Sequence, residues 1–310
     1  MTINETLINM SLSKTVPISV CFFLILMIGL SGNLTVIYGS LRHSALKLDQ
    51  VLLIFIHNLA VADIINLVVY VFPVLVTFSA RQWVLGDAWC YIEAHGTILP
   101  GLANTIFVLA ITLHRLLLFS FPTRTVAPRT AAFIAGAVWT MSAVVHAGFL
   151  AHFGVKVEFL PHIGICVASN VIYNASVPMI IAVFMTILLP LLFITIANAM
   201  ICVIAYRRST RKRECMKGIM LTFLLSGLFI VSWIPFITRS FVALVSPILV
   251  RKLDFYAYNC IVINTVANPI LYSLTNQRFR KYVRYGAREK IGLLRRFTSH
   301  KSEDLQMETV

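Results

Sequence analysis

The chain has 310 residues, of which 59% are hydrophobic and only 12% charged, and its mean hydropathy is +0.86. A soluble domain normally carries about 25% charged residues, so this composition excludes a water-solvated globule and points to a bilayer. A formal charge of +14 would suggest nucleic-acid binding in a soluble protein; in a membrane protein it asks instead which face the basic residues occupy, and no nucleic-acid partner is expected.

Residues 1–15 are polar and lack the charged start and small-residue cleavage site of a signal peptide. The first apolar helix is therefore expected to serve as an uncleaved anchor. A crossing helix needs about 20 mostly apolar residues, and seven stretches qualify. Residues 16–38 carry no charge, 51–79 hold only Asp63 and His57, and 97–113 are uncharged, with a helix expected to begin nearer Asp87. Residues 130–150 contain His146 alone, 176–205 are uncharged, 218–249 hold Arg239, and 255–274 are uncharged. The connections are short, which leaves no room for a second domain. The expected organisation is an outer N-terminus at 1–15, a membrane domain at 16–276, and an amphipathic helix with a short inner tail at 277–310.

Basic residues set the orientation. With the N-terminus outside, the inner segments hold Arg42, Lys47, Arg124, Arg129, the run 207–217 and the basic tail, against far fewer on the outer side. The sequons at Asn4, Asn9 and Asn174 then all face outward, where glycosylation can occur. A fourth, at Asn33, is buried in the first span. Among the six cysteines only Cys90 and Cys166 lie in oxidising territory. They either bridge, pinning the long outer loop to the third span, or remain two free thiols.

Asp63 is the most informative residue inside the membrane. A mid-span carboxylate costs roughly 2.5–3.5 kcal/mol on insertion scales, so it must face the bundle interior and find partners. Asn33, Asn58, Asn104, Asn264, Thr265 and Asn268 lie at similar depth. They would form either a hydrated cage for a monovalent cation or a hydrogen-bond network without an ion. Pro190, Pro235 and Pro269 each remove a backbone hydrogen bond within a span and can bend it. Trp233 stands beside one such bend, as a packing residue or a lever. Arg115 ends the third span on the inner side.

These residues fall into ordered motifs. The first span has Gly32-Asn33-Leu34-Thr35-Val36 and the second Asn58-Leu59-Ala60-Val61-Ala62-Asp63. Trp83-Val84-Leu85-Gly86 precedes Cys90, Arg115 follows it by 25 residues, and Trp139 marks the fourth span. The sixth reads Phe229 to Pro235 as FIVSWIP, the seventh Asn268-Pro269-Ile270-Leu271-Tyr272, and Phe279 lies in an amphipathic run at 277–285. From Gly32 to Phe279 the chain resembles the rhodopsin-like G protein-coupled receptors. The resemblance implies an all-α fold, a seven-transmembrane helix bundle with a short amphipathic eighth helix, and no enzymatic activity. It also implies the Cys90–Cys166 bridge.

By the same resemblance Asp63, Asn104, Asn264 and Asn268 look like a sodium pocket, with no other cofactor. Trp233 and Phe229 look like the toggle beneath a ligand cavity, and Tyr272 like the tyrosine that swings inward on activation next to Pro269. Arg115 looks like the arginine that receives the Gα C-terminal helix of a heterotrimeric G protein after the sixth span moves out. The chain departs from the pattern at His114, where an acid is usual, and at Leu116, Asn198, Thr105 and Thr123. The ion pair that restrains Arg115 is thus absent or rebuilt, and high basal activity is expected.

Thr97 stands where aminergic receptors carry aspartate, which disfavours a salt-bridged monoamine, and Val262 stands at the retinal-linkage site, which excludes an opsin. The expected cavity comprises Thr97, Ile98, Gly101, Ala182, Thr186, Trp233, Phe236, Ile237, Ser240, Tyr258 and Val262, under a mouth of Glu93, Glu158, Arg239, Arg251, Lys252 and Asp254. A peptide or neutral lipophile suits that composition best. The basic inner segments suit anionic lipid headgroups. Thr298, Ser299 and Ser302 offer phosphorylation sites for arrestin, and the C-terminal Glu308-Thr309-Val310 faintly resembles a PDZ ligand. The competing readings are a chemosensory receptor of the same fold and a seven-helix transporter. A transporter would want several midplane charges and repeated halves, and the chain has one midplane acid.

Overall fold

The computed structural model describes residues 11–41, 49–121, 123, 126–153, 156–168, 181–207 and 213–275. The sequons at Asn4, Asn9 and Asn174, the amphipathic run at 277–285 and the tail lie outside the described residues.

Six described helices are long and apolar enough to cross a membrane. The first span is Leu12–Leu41. The second runs through Gln50–Asn66, a π-helical turn at Leu67–Val71 and Phe72–Ala80. Pro73 accounts for that turn, because its missing N–H breaks the regular ladder just upstream. The third span is Gly86–Gly96 followed, after Thr97, by Ile98–Ser120, so it begins near Asp87 as the sequence suggests. Pro100 sits just past the interruption and supplies the same cause. The fourth is Pro128–Phe153. The fifth enters through a π turn at Phe184–Leu188, immediately before Pro190, and continues as Leu189–Arg207. The sixth is Arg213–Val242 with Pro235 inside.

The seventh span is built from two pieces, Pro247–Asn259 and Ile263–Thr275, joined by a 3₁₀ turn at Cys260–Val262. It begins eight residues before the apolar stretch predicted to start at Phe255. Hydropathy misses this first part because Arg251, Lys252 and Asp254 interrupt it, although Ser246 caps it by accepting the Leu249 N–H at 3.4 Å. The other departure from an all-helical chain is a small outer hairpin. Strands β1 (Val157–Leu160) and β2 (Ile165–Ala168) pair antiparallel, with Phe159 opposite Cys166. Gly164 makes its turn at φ +68°, and a Cβ there would lie 2.7 Å from the Phe78 ring.

The bundle is a seven-helix membrane fold with its apolar residues both inside and out. Phe133, Val144, Tyr206 and Val231 are largely exposed on the spans, as expected where lipid is the outer solvent. The interior holds a large core around Phe107, Ile194, Phe229 and Leu59. The first and seventh spans approach closely because Gly32 has no side chain: a Cβ there would come within 2.7 Å of Pro269 Cγ. Asn33 then donates to the Thr265 carbonyl at 2.7 Å across the same seam. Overpacking of this kind costs about 2 kcal/mol, so Gly32→Val is expected to lower the melting temperature of the detergent-solubilised chain. An unchanged melting curve would contradict the contact.

Candidate functional site

Three layers of polar chemistry lie along the bundle axis. The middle one is built on Asp63, which is completely buried. Asn104 of the third span donates to its Oδ1 at 2.6 Å, and Asn268 of the seventh donates to its Oδ2 at 2.8 Å. One carboxylate thus joins three helices.

The wider cage of six side chains does not assemble around it. Asn264 donates instead to the Ser232 hydroxyl, and Thr265 to the Val262 carbonyl at 2.7 Å. Asn33 is spent on the backbone of Gly29 and Thr265. Asn58 accepts the Trp139 indole N–H at 2.9 Å. Spacing gives depth along a helix but not the direction a side chain faces: Asn58 and Asp63, five positions apart, project about 140° from each other at 3.6 residues per turn.

Above this layer is a cavity of about 270 Å³. Of the residues expected to line it, Thr97, Ile98, Gly101, Ala182, Thr186, Trp233, Phe236, Tyr258 and Val262 do so. Ile237 and Ser240 are not among its lining residues. Ile237 packs onto the main core, and the Ser240 hydroxyl turns back to the Phe236 carbonyl at 2.8 Å. The floor is an aromatic chain on the sixth span. Trp233 lies 6.0 Å from Phe229 and 5.7 Å from Phe236 between ring centroids, and Phe236 lies 5.8 Å from Tyr258. Asn104 and Asn264 also reach the cavity wall, so it bottoms out on the polar layer of Asp63. Sequence reasoning missed Tyr70, on the π-helical turn of the second span, and strand β2 as walls, because bend and loop positions carry no periodic signal. It missed Phe149 because hydropathy does not say which face of the fourth span turns inward.

The outer layer corrects the expected charged mouth. Cys90 and Cys166 are bridged, fixing β2 to the head of the third span. Trp83 is buried, donates to the Gly86 carbonyl at 3.1 Å and lies against Phe159. Arg239 and Asp254 are not solvated rim charges: their exposures are 0% and 2%. The Arg239 Nε donates to Asp254 Oδ1 at 2.9 Å, while His162 of the hairpin turn meets Asp254 Oδ2 at 3.0 Å. Glu93, also placed at the mouth from sequence, is 1% exposed and lines the cavity itself.

On the inner side the missing acid before Arg115 is supplied from elsewhere. His114 Nε2 lies 2.6 Å from Asp49 Oδ2, and Asp49 Oδ1 accepts the Val51 N–H at 3.0 Å to cap the second span. The His114 hydrogen bond is the main reason the Asp49 carboxyl stays below its usual range despite partial burial, and the Arg115 charge adds to it. Tyr272 is buried in the core and its hydroxyl has no hydrogen-bond partner among the described residues. Thr112 and Ser226 hydroxyls lie 3.5 Å apart between the third and sixth spans.

A seven-helix membrane bundle with an outer cavity over a buried carboxylate layer is the architecture of a receptor rather than of an enzyme. The family model of the 7 transmembrane receptor (rhodopsin family) matches residues 32–272, and the chain belongs to that family; it is a G protein-coupled receptor and a multi-pass protein of the plasma membrane. The chain is 27% identical over 290 residues to the somatostatin receptor type 5 of Bos taurus, covering 88% of this chain and 76% of that one. It is 25% identical over 285 residues to the C-C chemokine receptor type 1 of Macaca fascicularis, covering 85% and 77%. Squid rhodopsin superposes with a TM-score of 0.72 at 18% identity, covering 87% of this chain and 84% of that one.

The buried Arg239–Asp254 pair has a clear signature in stability. Removing one partner strands the other, at about 3 kcal/mol, whereas replacing both with apolar groups of similar size costs far less. Arg239→Met and Asp254→Met are each expected to lower the melting temperature sharply, and the double variant to recover most of the loss. Additive losses would contradict the pairing.

Proposed function

We propose that the cavity takes an extracellular ligand and that its occupation shifts the bundle toward a state open on the inner face, where Arg115 receives a heterotrimeric G protein. The cavity's position carries this reading. Its floor is Trp233 and Phe229 on the proline-bent sixth span, and its lower wall touches Asn104 and Asn264 beside the Asp63 layer. A ligand that prefers one packing of Trp233 therefore biases the helix that must move outward. The N-terminus faces outside and the C-terminus the cytoplasm in this reading, which the distribution of basic residues supports. Arrestin and anionic lipid are partners of the basic, hydroxyl-bearing inner segments.

The ligand is a lipophile or the end of a peptide. About 270 Å³ lies at the small end of ligand pockets and admits a small molecule or a peptide terminus rather than a whole folded ligand. The names of the somatostatin and chemokine receptors favour the peptide side of that choice. The Asp63 layer also suits one sodium ion: a single carboxylate matches a monovalent charge, and the Asn104 Oδ1 is buried with no hydrogen-bond partner among the described residues. Asp63, Asn104, Asn264 and Asn268 would hold it, and it would stabilise the closed packing.

His114, which pairs with Asp49 at 2.6 Å, stands where an acid is usual before Arg115, and ligand-free activity is expected from that departure. Membranes carrying the chain should catalyse GTP exchange on Gα above those carrying Arg115→Ala. Equal exchange in the two would contradict both the basal activity and the role of Arg115. Treatment of intact cells with an N-glycosidase should reduce the apparent mass of the wild-type chain and leave a variant lacking Asn4, Asn9 and Asn174 unchanged. A wild-type chain carrying no glycan would count against the outward N-terminus.

A further inference from the structure

We propose that the ligand presents a protonated amine, seated against Glu93, on an otherwise apolar body. This rests on the cavity being the ligand site and names the chemistry the site selects. Glu93 lies on the third span one turn outward of Thr97, whose hydroxyl donates to the Glu93 carbonyl at 3.3 Å. Its side chain is fixed, because Oε2 accepts the backbone N–H of Cys166 at 2.9 Å and Cys166 is bridged to Cys90. The other carboxylate oxygen, Oε1, is buried and has no hydrogen-bond partner among the described residues. Glu93 is also the only Asp, Glu, Lys, Arg or His among the described residues that line the cavity.

A buried carboxylate oxygen without a donor is costly, and a group that donates to it recovers that cost. The protein supplies one neutral N–H to this carboxylate. Arg239 on the sixth span directs its Nε to Asp254 at 2.9 Å rather than to Glu93. A ligand cation fills the gap better than a neutral donor does, because a hydrogen bond between charged partners is roughly twice as strong as a neutral one. Tyr70 and Tyr258 line the same cavity and add aromatic rings that tolerate a cation. Apolar residues such as Ile98, Phe236 and Val262 take the rest of the ligand.

This departs from the expectation that Thr97 disfavours a salt-bridged amine and that a peptide or neutral lipophile suits the cavity best. The acid is present, one turn nearer the outside. The same ammonium chemistry is offered by a free lipophilic amine and by the amino terminus of an apolar peptide, and the two sources are separable.

The full chain in lipid nanodiscs is to be screened by thermal shift and competition binding with two paired sets. One set matches arylalkyl primary amines with alcohols of the same skeleton. The other matches apolar tripeptide amides with free and with acetylated amino termini. In at least one set the charged member is expected to bind about tenfold or more tighter than its neutral counterpart. Preference in the first set alone identifies a free amine, and in the second a peptide terminus. Glu93→Gln, which keeps an acceptor for the Cys166 N–H, should weaken the charged members by about 10- to 100-fold and leave the neutral ones unchanged.

Neutral members binding as well as charged ones in the wild-type chain would overturn the proposal, as would a charge preference that survives Glu93→Gln. The wild-type comparison decides the matter even if the variant fails to reach the membrane. Binding by neutral members only would remove the amine and keep the cavity as a ligand site. Binding by no compound of either set would contradict the cavity reading and this proposal together.

Discussion

The structure depends on one buried carboxylate. Asp63 has no contact with solvent and is held by amide N–H groups from two other helices, Asn104 at 2.6 Å and Asn268 at 2.8 Å. In a bilayer the helices gain little from burying apolar side chains against one another, since lipid is equally apolar. Specific polar contacts and close packing therefore decide which faces meet. Asp63 sets the second, third and seventh spans against each other, and Asn33 with the bare backbone of Gly32 adds the first. Asn268 immediately precedes Pro269, so the carboxylate is bonded at a point where the seventh helix already lacks a backbone hydrogen bond. A rearrangement of this layer has somewhere to bend.

The cavity and the inner face sit on either side of that layer. Trp233 and Phe229 form the cavity floor, while Asn264, one turn outward from Asn268, donates to Ser232 beside Trp233. The sixth span is tied to the seventh at this depth and again at the outer end by Arg239 and Asp254. Among the described residues, its inner half meets the third span through apolar packing and the Thr112–Ser226 contact. In the proposed function it is the inner end of this helix that moves when a G protein is received. Coupling of this sort needs only that a ligand differ in affinity between the two packings.

Hydropathy alone placed the seven spans, because a crossing helix must be apolar over a fixed length and each unpaired backbone group in lipid is costly. Asp63 stood out for the same reason, and the outer location of Cys90 and Cys166 left two readings that the family resemblance narrowed to one. What the sequence concealed are contacts whose partners lie on different helices. Asn58 and Asp63 share a motif yet face apart, and Asn58 is used by Trp139. Arg239 and Asp254 read as surface charges until the folded chain brings them together and buries both. Asp49 lies in an inner connection with no motif around it, so nothing marked it as the partner of His114. Glu93 was seen as part of a charged rim, and only its burial and its empty oxygen turn it toward the cavity.

The most direct measurement is a double-mutant cycle on the Asp63–Asn268 contact, using Asp63→Asn, Asn268→Ala and the double variant, with unfolding free energies measured in one detergent. A hydrogen bond between a buried charge and an amide predicts a coupling energy of about 1.5–3 kcal/mol. Strictly additive losses would mean that the carboxylate does not hold the seventh helix in place, and the account of the bundle built on it would fail.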